Sequence, residues 1–237
     1  MSVWMPRAYD RAITIFSPEG RLYQVEYALE LVKRGAPILG IACSGGVVLA
    51  AKEVPESKLQ DSSHSWKIFQ IDEHIGAAVA GLSSDARVLI NQARLYAQSN
   101  RLTYDELIDV EVLTRRIGDL VQLYTQHAGV RPFGVSIIFG GVDKSGSRVF
   151  VTDPSGSYRG YKATAIGKGS DELNKILEEK YRYEMTLEEG IALAVECIAK
   201  TMEGEVDPKV IRVAVIPADT KKFRMLTEDE VAKYLKK

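Results

Sequence analysis

The groups in this chain that could do acid-base, thiol or nucleophilic chemistry are three histidines, two cysteines and a few serines beside glycines. Their spacing argues against each chemistry in turn. His64, His74 and His127 are far apart and form no metal-ligand pattern. His74, within a strand pattern, reads as a satisfied structural histidine rather than a metal ligand. Cys43 sits in an apolar strand pattern and Cys197 in an apolar helix pattern, with no second cysteine nearby to make a zinc or redox pair, so both read as small buried residues. Ser17, Ser44 and Ser83 lie near glycines, but none has the elbow pattern that aims a serine nucleophile. What remains is one lysine, Lys67 in Trp66-Lys67-Ile68-Phe69-Gln70, and the long N-terminal segment 9–28. Taken alone, Lys67 reads as an exposed strand lysine in an ion pair.

Segment 9–28 joins a polar-aromatic arm, Tyr9-Asp10-Arg11, to Ser17-Pro18-Glu19-Gly20 and then to a helical pattern. Pro18 has its φ set for the first central position of a β-turn and Gly20 can take φ > 0, so the chain must change direction there. Leu22, Val25, Leu29 and Val32 then recur at helical spacing, with Lys33 and Arg34 before Gly35 as a favourable C-terminus. This predicts an amphipathic helix over 21–34.

The elements that must hold these residues follow from pattern. Ile38–Cys43 and Val47–Lys52 form a hairpin about Ser44-Gly45-Gly46, and Lys67–Asp72 with Ile75–Ala80 form a second, with 54–65 as the loop between them. Leu82, Ala86, Leu89, Ala93 and Tyr96 mark one helix, and Leu107, Ile117, Leu120, Val121 and Tyr124 mark a second, longer one. Thr103 and Glu106 are expected to cap its start, and the two helices to pair antiparallel. Strands are expected at 135–142, 148–152 and 158–166, with turns at Asp143-Lys144-Ser145-Gly146 and Asp153-Pro154-Ser155-Gly156. Helices follow at 169–182 and 187–202, the latter capped by Thr186 and Glu189. Strands at 210–216 and 222–225 precede a short helix opened by Thr227 and Glu230. Blocks of strands alternating with blocks of helices argue for layered α+β packing with antiparallel sheets.

The 237 residues are 46% hydrophobic and 27% charged, ordinary for a soluble globular chain, and no low-complexity linker divides them. A formal net charge of −1, with basic residues dispersed, supplies no field for nucleic acid or an anionic membrane surface. Apolar runs are strand-length, far short of the roughly 20 residues that span a bilayer. No secretory leader is evident, so cytoplasmic residence is expected.

Residues 9–28 resemble the N-terminal signature of α-type subunits of the 20S proteasome, of the archaeal kind, and the likeness runs over almost the whole chain. A generic turn and helix would fit any one tripeptide here, but not all twenty positions. The resemblance implies an N-terminal-nucleophile hydrolase fold: a four-layer αββα sandwich over 36–237, preceded by a gate arm, turn and ring-packing helix over 1–35. Catalytic members of that fold begin the first core strand with a nucleophile whose free amine serves as its base. Here the segment is Ala36-Pro37-Ile38-Leu39-Gly40-Ile41, with no nucleophile at Ala36 and no primary amine at Pro37. The resemblance therefore implies a non-catalytic subunit, with no cofactor and no metal.

For Lys67 the resemblance reverses the plain reading. It implies a pocket between neighbouring subunits in which Lys67 receives the C-terminal carboxylate of an activator tail, with the Gly81 and Leu82 backbone beside it. It also implies that Tyr9, Asp10, Pro18 and Tyr27 clamp the arm in an open position. The partners implied are other α subunits in a seven-membered ring, proteolytic β subunits, an ATPase activator ending in a hydrophobic residue, tyrosine and one more residue, and unfolded polypeptide. Two departures stand out: Leu29 where relatives often carry a basic residue, and His127-Ala128-Gly129 where an aromatic-Gly-Gly is common at the pore constriction. Arg131-Pro132-Phe133-Gly134 matches the family. The rival readings are an internally processed N-terminal-nucleophile hydrolase and an assembly-only ring scaffold.

Overall fold

The computed structural model describes residues 12, 14–57, 59–61, 64–202, 204 and 206–235. Tyr9 and Asp10 therefore lie outside the described residues. At Ser17-Pro18-Glu19-Gly20 the chain turns as the local chemistry requires: Gly20 has φ 76° and donates its N–H to the Ser17 carbonyl at 2.8 Å. Ser17 also receives the Arg21 N–H on its hydroxyl (3.2 Å) and donates its own N–H to the Arg21 carbonyl (2.9 Å). These bonds tie Arg21 to the turn, and helix α1 starts two residues later than expected, at Tyr23–Arg34. Its buried face is Val25, Ala28 and Val32, whereas Leu29 is half-buried and Tyr27 and Leu31 face outward.

Strands β1 (Ile38–Cys43) and β2 (Gly46–Lys52) form the first hairpin, and β3 (Ile68–Asp72) and β4 (Ile75–Gly81) the second. Helices α2 (Ser83–Tyr104) and α3 (Val110–Leu123) follow, then β5 (Val135–Asp143), β6 (Gly146–Thr152), β7 (Tyr158–Tyr161) and β8 (Ala163–Ile166). The chain continues through α4 (Ser170–Lys180), α5 (Leu187–Ala199), β9 (Ile211–Pro217), β10 (Arg224–Met225) and α6 (Glu228–Leu235). Two antiparallel sheets result, ordered β10-β9-β2-β1-β8 and β3-β4-β5-β6-β7.

Three apolar clusters show how the layers stack. Ile38, Val47, Leu49 and Ile216 of the first sheet meet Ala78, Ile138 and Val149 of the second in a shared inner core, which also takes in Val32 of α1. The outer face of the first sheet, including Leu39, Ile41, Val48 and Val213, packs under Leu173 and Leu177 of α4, Leu193 and Ile198 of α5, and Val231 of α6. The outer face of the second, including Ile75, Ala77, Val79, Ile137 and Phe139, packs under Leu89 and Ala93 of α2 and Leu113 and Ile117 of α3. The order is helix, sheet, sheet, helix, the expected αββα sandwich. A strand covered on both faces is buried at every position, which is why β1 and β5, Ser136 and Asp143 included, show no alternation.

Several boundaries differ from the sequence reading. Residues 158–166 are two strands in two sheets: β7 pairs with β6, β8 pairs with β1, and the Lys162 carbonyl accepts the Ala42 N–H at 2.7 Å between them. Both segments are extended, so periodicity shows no break. Thr103 and Glu106 cap nothing; Thr103 lies in the last turn of α2, which ends at Asp105 in the left-handed region (φ 54°), and α2 rather than α3 is the longer helix. The α3 start is served from a distance instead, by the Asp143 carboxylate accepting the Val110 N–H at 3.0 Å. The boxes at Thr186/Glu189 and Thr227/Glu230 form with both reciprocal bonds. No helix among the described residues is long and apolar enough to cross a membrane.

Candidate functional site

The first core strand starts beside a half-buried cation. Pro37 is buried and accepts the Lys52 N–H at 2.9 Å, which anchors the segment leading into β1. Directly before it, the Ala36 carbonyl accepts a hydrogen bond from Lys67 Nζ at 3.0 Å, and the Val79 carbonyl of β4 accepts another at 3.1 Å. Two of the three ammonium N–H bonds are thus fixed by backbone oxygens. Burial drags the Lys67 pKa from its ordinary 10.5 to about 8, against the pull of the Glu53 carboxylate. The expectation of an exposed strand lysine fails, because Lys67 precedes β3 and folds back beneath the entry to β1.

Its backbone is held equally firmly. The Lys67 carbonyl accepts the Val79 N–H at 2.9 Å, and the Lys67 N–H donates to Glu53 Oε1 at 2.9 Å. Glu53 is only 2% exposed; it also accepts the Ser65 hydroxyl hydrogen bond and stands 3.6 Å from the Arg212 guanidinium.

Gly81 ends β4 on the other side of the same segment. A Cβ placed on Gly35 would lie 3.0 Å from the Gly81 nitrogen, so Gly35-Ala36 is flanked by Lys67 and Gly81. Gly81 has φ 119°, and a Cβ on it would stand 2.2 Å from the Gly134 carbonyl, so only glycine fits. Leu82 follows as the residue before α2, 36% exposed, with its N–H donated to that same Gly134 carbonyl at 2.8 Å. The Leu82 N–H is thus occupied within the chain, while its side chain stays exposed beside Gly81.

Asp85 in that first turn holds the opposing strand entry. Arg131 donates to both its carboxylate oxygens, at 2.6 and 2.8 Å, and the Gly134 N–H donates at 2.9 Å. Burial alone would raise the Asp85 pKa, but Arg131 and the Gly134 N–H outweigh it and hold the carboxyl below its ordinary range.

Lys67, Gly81 and Leu82 are therefore brought to one place. Pro18 and Tyr27 lie on the turn and on α1, where Pro18 is exposed and Tyr27 is 51% exposed and stacked on Tyr23 with ring centroids 6.4 Å apart. Glu53, Asp85 and Arg131 were not among the sequence candidates. Glu53 lies 14 positions from the Lys67 N–H it accepts and Asp85 lies 46 from Arg131, so no local spacing marks them.

The remaining candidates are structural. His74 is fully buried with Nε2 2.8 Å from the Ile108 carbonyl. Cys43 and Cys197 are buried, and burial pushes both thiols up, Cys197 to about 11, away from the thiolate form that reacts. In His127-Ala128-Gly129, His127 Nδ1 lies 2.8 Å from the Leu123 carbonyl and Gly129 has φ 87°, a turn closing α3.

Comparison with known proteins decides the family. A model described as "Proteasome subunit" matches residues 32–216, and a model of the N-terminal signature of A-type proteasome subunits matches residues 9–30. The chain belongs to the proteasome family, on the α-type branch. It is 51% identical over 237 residues to the proteasome alpha subunit of Methanocaldococcus jannaschii, covering all of this chain and 90% of that one. It is 52% identical over 223 residues to the alpha subunit of Methanothermobacter thermautotrophicus (94% of this chain, 90% of that one). It is 54% identical over 227 residues to that of Thermococcus sibiricus (96% and 86%). The archaeal proteasome α type is thus shown, and the two-sheet sandwich is the fold expected of it.

Proposed function

We propose that this proteasome α subunit is a non-catalytic gate and docking component. It assembles with further α subunits in a seven-membered ring that caps rings of proteolytic β subunits and admits unfolded polypeptide in the cytoplasm. Residues 1–35 supply the gate arm, turn and ring-packing helix, and 36–237 the core. The position where a catalytic relative carries its nucleophile is Ala36, whose methyl group can neither attack nor be activated.

The observation that carries the docking role is the setting of Lys67. Its ammonium is half-buried between the Ala36 and Val79 carbonyls, and one N–H beyond those two bonds can meet a carboxylate. Buried charge without a carboxylate in contact is costly, and an incoming C-terminal carboxylate offsets that cost. Gly81 and Leu82 flank it, and Leu82 offers an apolar surface to the hydrophobic or tyrosine side chain of an activator tail. Leverage on the gate runs through Gly35, which joins Ala36 to α1 and so to the Pro18 turn; Tyr9, Asp10 and Tyr27 complete the clamp in this reading.

The test is Lys67→Ala in α/β particles formed with the cognate β subunit. Basal peptide hydrolysis should persist and activator-stimulated hydrolysis should disappear. Normal stimulation by the activator would sink the docking role.

A further inference from the structure

We infer that Glu53 is a positioning residue for tail docking: its buried carboxylate seats the Lys67 backbone and keeps the Lys67 ammonium charged for the incoming carboxylate. This rests on the reading of Lys67 as the docking cation.

The geometry is specific. Glu53 comes just after β2, is 2% exposed, and uses Oε1 for the Lys67 N–H and the Ser65 hydroxyl. Ser65 Oγ in turn accepts the Ile68 N–H at 2.9 Å, so one carboxylate organises the whole entry to β3. On the α1 side and on β4, Lys67 meets the Ala36 and Val79 carbonyls. From β9, Arg212 stands 3.6 Å from Glu53 and 3.8 Å from Glu228 of α6. Lys52 at the end of β2 donates its ammonium to the Thr201 carbonyl at 2.8 Å instead. Glu53 is thus the anion that opposes the burial of Lys67, and its other oxygen, Oε2, lies 3.6 Å from Arg212 Nε. A half-buried ammonium depends on such a neighbour to remain charged at neutral pH. Without the charge, the pocket offers a neutral amine that repels no anion and attracts none.

The experiment uses the assembled α/β particle and a fluorescent synthetic peptide ending in Leu-Tyr-Ala, with binding followed by fluorescence polarisation across pH. In the parent, binding should fall with a midpoint set by Lys67. Glu53→Gln keeps an acceptor for the Lys67 N–H and removes the charge. Its midpoint should move down by about one pH unit, with affinity near the parental value at about pH 6 and roughly tenfold weaker at about pH 8.5. Arg212→Gln removes the cation that shares the Glu53 carboxylate and should move the midpoint the other way, which keeps the inference testable if Glu53→Gln fails to assemble. Ser65→Ala removes a hydrogen bond to the Glu53 carboxylate but no charge, and should leave the midpoint in place. An unmoved midpoint in assembled Glu53→Gln, an equal loss of binding at every pH, or no upward shift in Arg212→Gln would overturn the inference. Lys67→Ala separates the two layers: if it binds the peptide normally, the docking role itself falls. If it loses binding while Glu53→Gln titrates like the parent, only the role of Glu53 does.

Discussion

Half-buried Lys67 and buried Asp85 are charges set on either side of the Gly81-Leu82 turn, and they are treated in opposite ways. Asp85 is closed: two Arg131 nitrogens and the Gly134 N–H occupy its oxygens, and its ionised form is favoured. Lys67 is open: two backbone carbonyls hold its ammonium, the Glu53 carboxylate bonds its backbone N–H and favours its charge without a direct bond to it, and burial disfavours its ionised form. A charge fully answered within the chain fixes geometry, and here that geometry is the Gly134 carbonyl against which Gly81 and Leu82 rest. In the docking role proposed for Lys67, a charge left under-answered holds binding energy in reserve for a partner that brings the missing anion.

The strongest way to break this comparison is at the turn both charges share. Gly81→Ala adds a Cβ 2.2 Å from the Gly134 oxygen at a φ that alanine avoids, and strain plus overpacking should cost about 4 kcal/mol in urea unfolding. A loss near zero would mean the turn is not fixed by Gly134.

The next test reads the open charge. A lysine of pKa about 8 folded and 10.5 unfolded binds fewer protons folded than unfolded between those values, so it adds stability as pH rises through that window. The gain amounts to ~3 kcal/mol. Denaturant unfolding from pH 7 to 10.5 should show this rise in the parent relative to Lys67→Met, which has nothing to titrate there. Parallel curves would show that Lys67 is not under-answered.

The smallest effect belongs to the closed charge. Asp85→Asn retains shape but loses charge-assisted bonds, and should cost about 2 kcal/mol near neutrality, since Arg131 remains 58% exposed and solvent screens it. The Asp85 carboxyl lies below its ordinary 3.8, so its contribution is complete above that value and lost as pH falls through the lower, folded one. Parent and variant should therefore converge only in strong acid; convergence already at about pH 5, above the ordinary carboxylate range, would contradict the closed arrangement.

Most elements could be read from residue order because their causes are local. The turn at Ser17–Gly20, the capping boxes at Thr186 and Thr227, and the Asp-led turns at 143 and 153 each depend on residues within four positions. The readings that failed are those where a distant group decides. The α3 start is satisfied by Asp143 rather than by the adjacent Thr103 and Glu106, and 158–166 is divided by which strand each half pairs with.

The same division runs through the candidate site. The amino-acid order by itself establishes that the segment Ala36-Pro37 leading into the first core strand carries no nucleophilic side chain, that Gly81 ends a strand before a helix, and that the chain carries the α-type signature. Each is a matter of residue type at a given position. Only the tertiary structure decided that Lys67 lies beneath Ala36, that Gly134 takes the Leu82 N–H, and that Glu53 and Asp85 govern the two sides. The cost of burying a charge depends on which groups converge from separate strands and helices, and sequence separation carries no information about that convergence.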